Sequence, residues 1–86
     1  MKLTVYIIQR KDNGKWQDMV QRAVTQGALE KMIKEATDLL NAKYLQISRL
    51  RLVKANRWYA VSPLGWHLTK TEILDTISEY YKVQEV

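Results

Sequence analysis

Residues 43–62 read KYLQISRLRLVKANRWYAVS, and the fold turns on how many strands they make. Two apolar runs flank a short polar break at Lys54, Ala55 and Asn56. That pattern predicts two β-strands, over 44–53 and 57–62, joined by a turn. Within the first run the apolar phase slips. Leu45 and Ile47 are odd-numbered, whereas Leu50 and Leu52 are even-numbered. Strand side chains alternate strictly, so one regular strand cannot bury both pairs. Either a β-bulge lies near Ser48 and Arg49, or the strand begins only there. The second run, Trp58 to Val61, is apolar on both faces and reads as a central strand.

The same stretch carries most of the basic character. Residues 43–64 hold Lys43, Arg49, Arg51, Lys54 and Arg57 and no acid, giving +5. Residues 1–42 contribute +2 and residues 65–86 contribute −2, for a net charge of +5. Charge distributed in this way bears on partners and encounter rates more than on fold.

Upstream, Leu3, Val5 and Ile7 alternate with Tyr6 and Ile8 in a β-branched, aromatic run. It reads as an inner strand, or as one covered on both sides. Asn13-Gly14 follows, and both residues tolerate the positive φ of a tight hairpin turn. Residues 16–24 then read as the return strand, although Trp16, Met19, Val20, Ala23 and Val24 also fit helical spacing. Next comes a helix with Thr25 as its N-cap. Its stripe is Leu29, Met32, Ile33, Ala36, Leu39 and Leu40, with a Glu30–Lys34 pair outside and Asn41 as the stop.

Downstream, Pro63 and Gly65 mark a loop holding Trp66 and His67. Thr69 and Glu72 match a capping box, and Leu68 with Ile73 fit a hydrophobic staple. A second helix is therefore expected, with Ile73, Leu74, Ile77, Tyr80 and Tyr81 inside and Glu72, Asp75, Thr76 and Glu79 outside. The expected fold is α+β: one domain over 1–86 in the order β-β-α-β-β-α. Its four-stranded, mostly antiparallel sheet would carry two helices on one face.

At 86 residues the chain is one domain. It has no Cys, which excludes disulfides, thiolate metal sites and thiol chemistry. It has one histidine, His67, and no second group fixes it as a catalytic acid or base. A metal site on Glu72, Asp75 and Glu79 would need oxygen ligands from elsewhere. Glycine-rich phosphate loops and hydrolase signatures are absent. The start of the chain has no signal-peptide cleavage pattern, so the expected location is the cytoplasm.

The chain therefore reads as a non-enzymatic binding module without cofactor, metal or small-molecule substrate. The candidate contacts are Lys43, Arg49, Arg51, Lys54, Arg57 and the loop residue Trp66. The expected partner is an acidic protein surface or a second copy, giving a homodimer. A small regulator or inhibitor of a larger machine would have this build, which suits a bacterial or bacteriophage accessory protein. The alternative is nucleic-acid binding through the same basic hairpin at 43–62, with no motif of a known nucleic-acid module.

Overall fold

The computed structural model describes residues 1–42 and 47–77. Its elements are β1 (Lys2–Asp12), β2 (Lys15–Ala23), α1 (Ala28–Asn41), a 3-10 turn (Ile47–Arg49), β3 (Leu50–Ser62) and β4 (Gly65–Ile77). The strands form one antiparallel sheet in the order β2-β1-β3-β4, so β1 and β3 lie inside. The α+β class holds, with four antiparallel strands, but a single helix packs on the sheet among the described residues.

The first hairpin follows its sequence. Asn13 and Gly14 take φ values of 51° and 76° and turn β1 into β2. The return segment is the strand expected from that turn. β1 is the inner strand that its two apolar faces required, with Val5, Tyr6, Ile7 and Ile8 all buried.

The helix is also where its periodicity put it. Met32, Ala36 and Leu40 are buried against Tyr6, Ile8, Leu50, Leu52 and Ile77 of the sheet. Leu29, Ile33 and Leu39 pack at the margin. Its ends differ from expectation. Gly27, with φ of 79°, precedes the helix in place of a side-chain cap, and the Ala28 amide bonds the Thr25 carbonyl instead. Lys34 pairs with Asp38 at 2.9 Å rather than with Glu30. The helix runs through Asn41, and Ala42, which caps it, is right-handed. Arg22 on β2 pairs with Glu35 and ties the helix to that edge.

Two expectations fail downstream, and they fail together. Residues 54–56 are not a turn, because β3 runs unbroken from Leu50 to Ser62. Ala55 is fully buried opposite Val5, and Asn56 accepts a 2.7 Å bond from the Thr4 hydroxyl. A polar residue with a partner of this kind does not interrupt a ladder. The phase slip resolves as the later start, with the 3-10 turn ending at Arg49 and the strand beginning at Leu50.

The second correction is the last helix. Residues 65–77 are strand β4, and Trp66 and His67 open it rather than lying in a loop. Pro63 and Leu64 form the two-residue turn before it. The segment holds Thr69, Thr71, Ile73, Thr76 and Ile77, whose β-branched side chains favour the pleated surface. A long central strand also leaves a row of ladder groups on its outer side, and β4 satisfies them. The apparent helical stripe divides accordingly. Ile77 is buried under α1, while Ile73 and Leu74 are exposed on the edge strand. Glu79, Tyr80 and Tyr81, expected in that helix, lie outside the described residues, as does Lys43.

Among the described residues three register shifts occur, all with the extra residue on an edge strand. Their extra residues are Met19 on β2 and Thr69 and Leu74 on β4. Each bulge shifts the side-chain phase and adds twist.

The strand assignment has a direct test. Leu52→Ala is expected to cost about 2–5 kcal/mol in urea unfolding, because it empties a fully buried site. Leu74→Ala is expected to stay within about 0.5 kcal/mol. A helix over this segment would bury Leu74 beside Ile77 and make the two costs alike.

Candidate interaction surfaces

The helix covers only one face of the sheet. On the other, Val5, Ile7, Val53 and Ala55 are still almost fully buried. Over this curled face, Trp16 and Asp18 of β2 and Thr71 and Ile73 of β4 line one hollow with Arg51 and Arg57. Arg57 on β3 closes this second core. Its Nη1 donates to Asp18 Oδ2 at 2.6 Å and its Nη2 to Asp18 Oδ1 at 3.1 Å, a fork that engages both carboxylate oxygens. Nη1 also donates to Gln21 Oε1, and Nε donates to Thr71 Oγ1 at 3.2 Å. One guanidinium therefore touches β2 and β4, the two edges of the sheet.

The polar network continues outward. Gln9 donates to Asp18 at 2.9 Å and accepts from Arg51 Nε at 2.7 Å. Arg51 lies over the Trp16 ring at 4.3 Å, within cation–π range. Gln21 donates to the Tyr59 hydroxyl at 3.3 Å. The hydrogen bond from Arg57 holds the Asp18 carboxyl below its ordinary value, against an opposing effect of partial burial.

The expected basic contacts are thus divided by the strand. Arg57 is buried and makes four hydrogen bonds, with every guanidinium nitrogen donating. Arg49 donates to the Lys11 carbonyl at 3.1 and 3.2 Å and to Asp12 at 3.0 Å, pinning the 3-10 turn to the end of β1. Arg51 stands on the curled face, opposite Gln9, whereas Lys54, opposite Tyr6, lies on the helix face. Trp66, opposite Val61, lies toward the other end of the sheet from Arg49 and Arg51.

Two poles result. At one, Arg49 and Arg51 meet Arg10, Lys11 and Lys15 of the first hairpin. Lys11 lies 5.8 Å from the Trp16 ring, on which Arg51 also stacks. Asp12 is the acid among them, bound to Arg10 and Arg49. The Lys11–Trp16 pairing across Asn13-Gly14 signalled this pole, which the weight given to residues 43–62 obscured.

At the other pole, β3 and β4 outrun the sheet. The last pair with β1 is Lys2 with Trp58, and Met1 then exchanges two 2.8 Å bonds with the Tyr59 backbone. Beyond it, residues 60–67 pair only with each other. This two-stranded ribbon ends in Pro63-Leu64. Leu64 is 100% exposed, Val61 67% and Trp66 61%. Met1, Leu3, Tyr59 and Trp66 line a shallow hollow of about 180 Å³ at its base. The alternation of Leu64, Trp66 and Leu68 is the sequence signal for this surface.

Among the described residues no three His, Cys, Asp or Glu converge to hold a metal. Glu72 and Asp75 stand on β4, opposite Asn56 and Lys54. No helix of the described residues is long and apolar enough to cross a membrane.

The Asp18–Arg57 fork predicts a pH-dependent stability. The folded-state value of Asp18 is depressed, so its contribution is complete above the unfolded value and lost as pH falls through the folded one. At pH 7, Asp18→Asn is expected to destabilise on the order of 1–3 kcal/mol, because it leaves a buried charge under-paired. The gap from wild type should narrow as pH falls below about 4, measured by urea unfolding. A gap that stays constant from pH 7 to 2 would remove the fork as its source.

No family model, curated protein or solved structure matches this chain significantly.

Proposed function

We propose that this protein is a non-enzymatic binding module that engages another polypeptide through the β3–β4 ribbon, with Trp66 as anchor, in the cytoplasm. The observation that carries this reading is the ribbon itself. It extends past the sheet, contributes nothing to either core, and displays Val61, Leu64 and Trp66. Apolar surface left in water on a segment with no packing role is characteristic of contact sites. Tryptophan is enriched among the residues that dominate such contacts. A regulator or inhibitor that acts by occupying a surface needs no more chemistry than this.

A photoreactive benzoylphenylalanine at position 64 tests the reading. It is irradiated in the purified protein and in extract of the source cells. A covalent polypeptide adduct is expected, lost on Trp66→Ala, which should leave folding stability within about 0.5 kcal/mol. The loss corresponds to about 30-fold or more in affinity, as for an anchor worth about 2 kcal/mol. No adduct, or an adduct indifferent to Trp66, overturns it.

The opposite pole favours a second reading, nucleic-acid binding. Lys11 and Arg51 lie over Trp16 there, and Arg10, Lys15 and Arg49 stand at the same end of the sheet, a basic end with an aromatic group. Phosphate neutralisation makes log affinity fall linearly with log salt, with a slope near −0.7 per contact on single strands. Lys11→Glu with Lys15→Glu should then abolish binding to a mixed-sequence oligonucleotide. Binding that is absent at low salt, or that survives this double change, removes the pole from consideration.

A further inference from the structure

We propose that β4 pairs antiparallel with β4 of a second copy of the chain, about a two-fold axis passing through Thr71. This rests on the protein-binding reading above and names the partner.

β4 is the outermost strand on its side of the sheet. Thirteen residues, Gly65–Ile77, run along that edge, and none of the described residues pairs with its outer side. A long bare edge is a template for another strand. Its sequence, GWHLTKTEILDTI, is self-complementary when read against its own reverse. With Thr71 opposite itself, Lys70 faces Glu72 of the partner subunit, and Glu72 faces Lys70 of the partner subunit. His67 falls opposite Asp75 of the partner subunit, and Leu68 opposite Leu74 of the partner subunit.

The faces agree. Directly opposed residues in an antiparallel pair share a face. Within the chain, His67, Lys70, Glu72 and Asp75 stand opposite Ala60, Trp58, Asn56 and Lys54. Those four β3 residues alternate along one face, so all four polar β4 residues share it. The bulges at Thr69 and Leu74 lie outside Lys70-Thr71-Glu72, which leaves the centre a regular ladder.

These charges are also unclaimed. Among the described residues neither Lys70, Glu72 nor Asp75 forms an ion pair within its own chain. Lys70 lies over Trp58 at 4.8 Å, and Glu72 accepts only a long 3.4 Å bond from Asn56. The other edge differs. On β2, Asp18 belongs to Arg57 and Arg22 belongs to Glu35. β4 also exposes Trp66, Leu68, Ile73 and Leu74, all within the paired register. The product is a continuous eight-stranded sheet with both helices on one side.

Sedimentation equilibrium over a concentration series tests the charges. Wild type is expected to form a dimer. Lys70→Glu and Glu72→Lys each place like charges opposite one another twice, and each should weaken association at least about tenfold. The double exchange restores the pairs and should return affinity to near wild type. A second variant tests the axis. The chain has no cysteine, so Thr71→Cys introduces one thiol per copy. Opposed Cα atoms in an antiparallel pair are about 4.5–5.5 Å apart, within disulfide range. Mild oxidation should therefore cross-link Thr71→Cys quantitatively, and the helix variant Lys31→Cys should not. A monomeric wild type, single exchanges that leave the dimer intact, a double exchange no tighter than the singles, or no preference for the Thr71→Cys cross-link overturns the proposal. If wild type is monomeric while position 64 still captures a different polypeptide, the second-copy inference falls and the protein-binding reading stands.

Discussion

The contact on which the rest of the structure depends is the fork between Arg57 and Asp18. A single helix can cover one face of a four-stranded sheet and no more. The other face would leave Val5, Ile7, Val53 and Ala55 in water. At about 25 cal/mol per Å² that exposure would weigh heavily on a chain this small. On that face Asp18, two strands away, and Thr71, directly opposite on the neighbouring strand, both bond the guanidinium of Arg57. Burying an arginine is costly unless every donor has a partner. Here Nε, Nη1 and Nη2 all donate, two of them to one carboxylate, and the side chain then roofs an apolar floor. The polar network thus takes the place of a second layer of helices.

The bulges belong to the same solution. A flat antiparallel sheet cannot bring its edges together, whereas each added residue on an outer strand increases local twist. Met19 on β2 and Thr69 and Leu74 on β4 supply that twist on the strands that must travel furthest. They also reset the side-chain phase. Trp66 and Leu68 lie on the curled face from even-numbered positions, and Thr71 and Ile73 from odd-numbered ones, because Thr69 intervenes. No reading of alternation alone survives such a shift.

This explains which parts of the fold were legible in the sequence. Asn13-Gly14 and the α1 stripe are local signals, carried by residues whose chemistry permits one outcome, and both were read correctly. The misreadings at 54–56 and 65–77 concern segments whose state depends on a distant neighbour. Lys54-Ala55-Asn56 looks like a turn until Val5 and Thr4 are set beside it. Thr69 and Glu72 fit a capping box because threonine at alternate positions serves a strand equally well. The five β-branched residues of that segment were the better guide. For the sites, charge counting located basic residues but could not distribute them between faces. Arg57 looked available in the sequence and is the most committed cation described, whereas Trp66 was a candidate contact placed in a loop and is exposed on a strand.

Buried core and exposed apolar surface are consequently separated along the molecule. Both cores lie where all four strands overlap, and the Arg57 network locks that region from the uncovered side. The ribbon at 60–67 lies beyond it and is anchored through the Met1–Tyr59 backbone pair. Side chains there can change without opening a cavity or orphaning a buried donor, so the fold itself makes no demand on Val61, Leu64 and Trp66. A β3 of thirteen residues is longer than its eleven-residue neighbour β1 can use. The surplus costs backbone entropy and exposes apolar surface, with no return from packing. Under the proposed function, a contact that buries those side chains would supply the missing gain, with the sheet already formed. The ordering cost that a disordered segment would meet on binding is absent here, which leaves more of the contact energy for affinity.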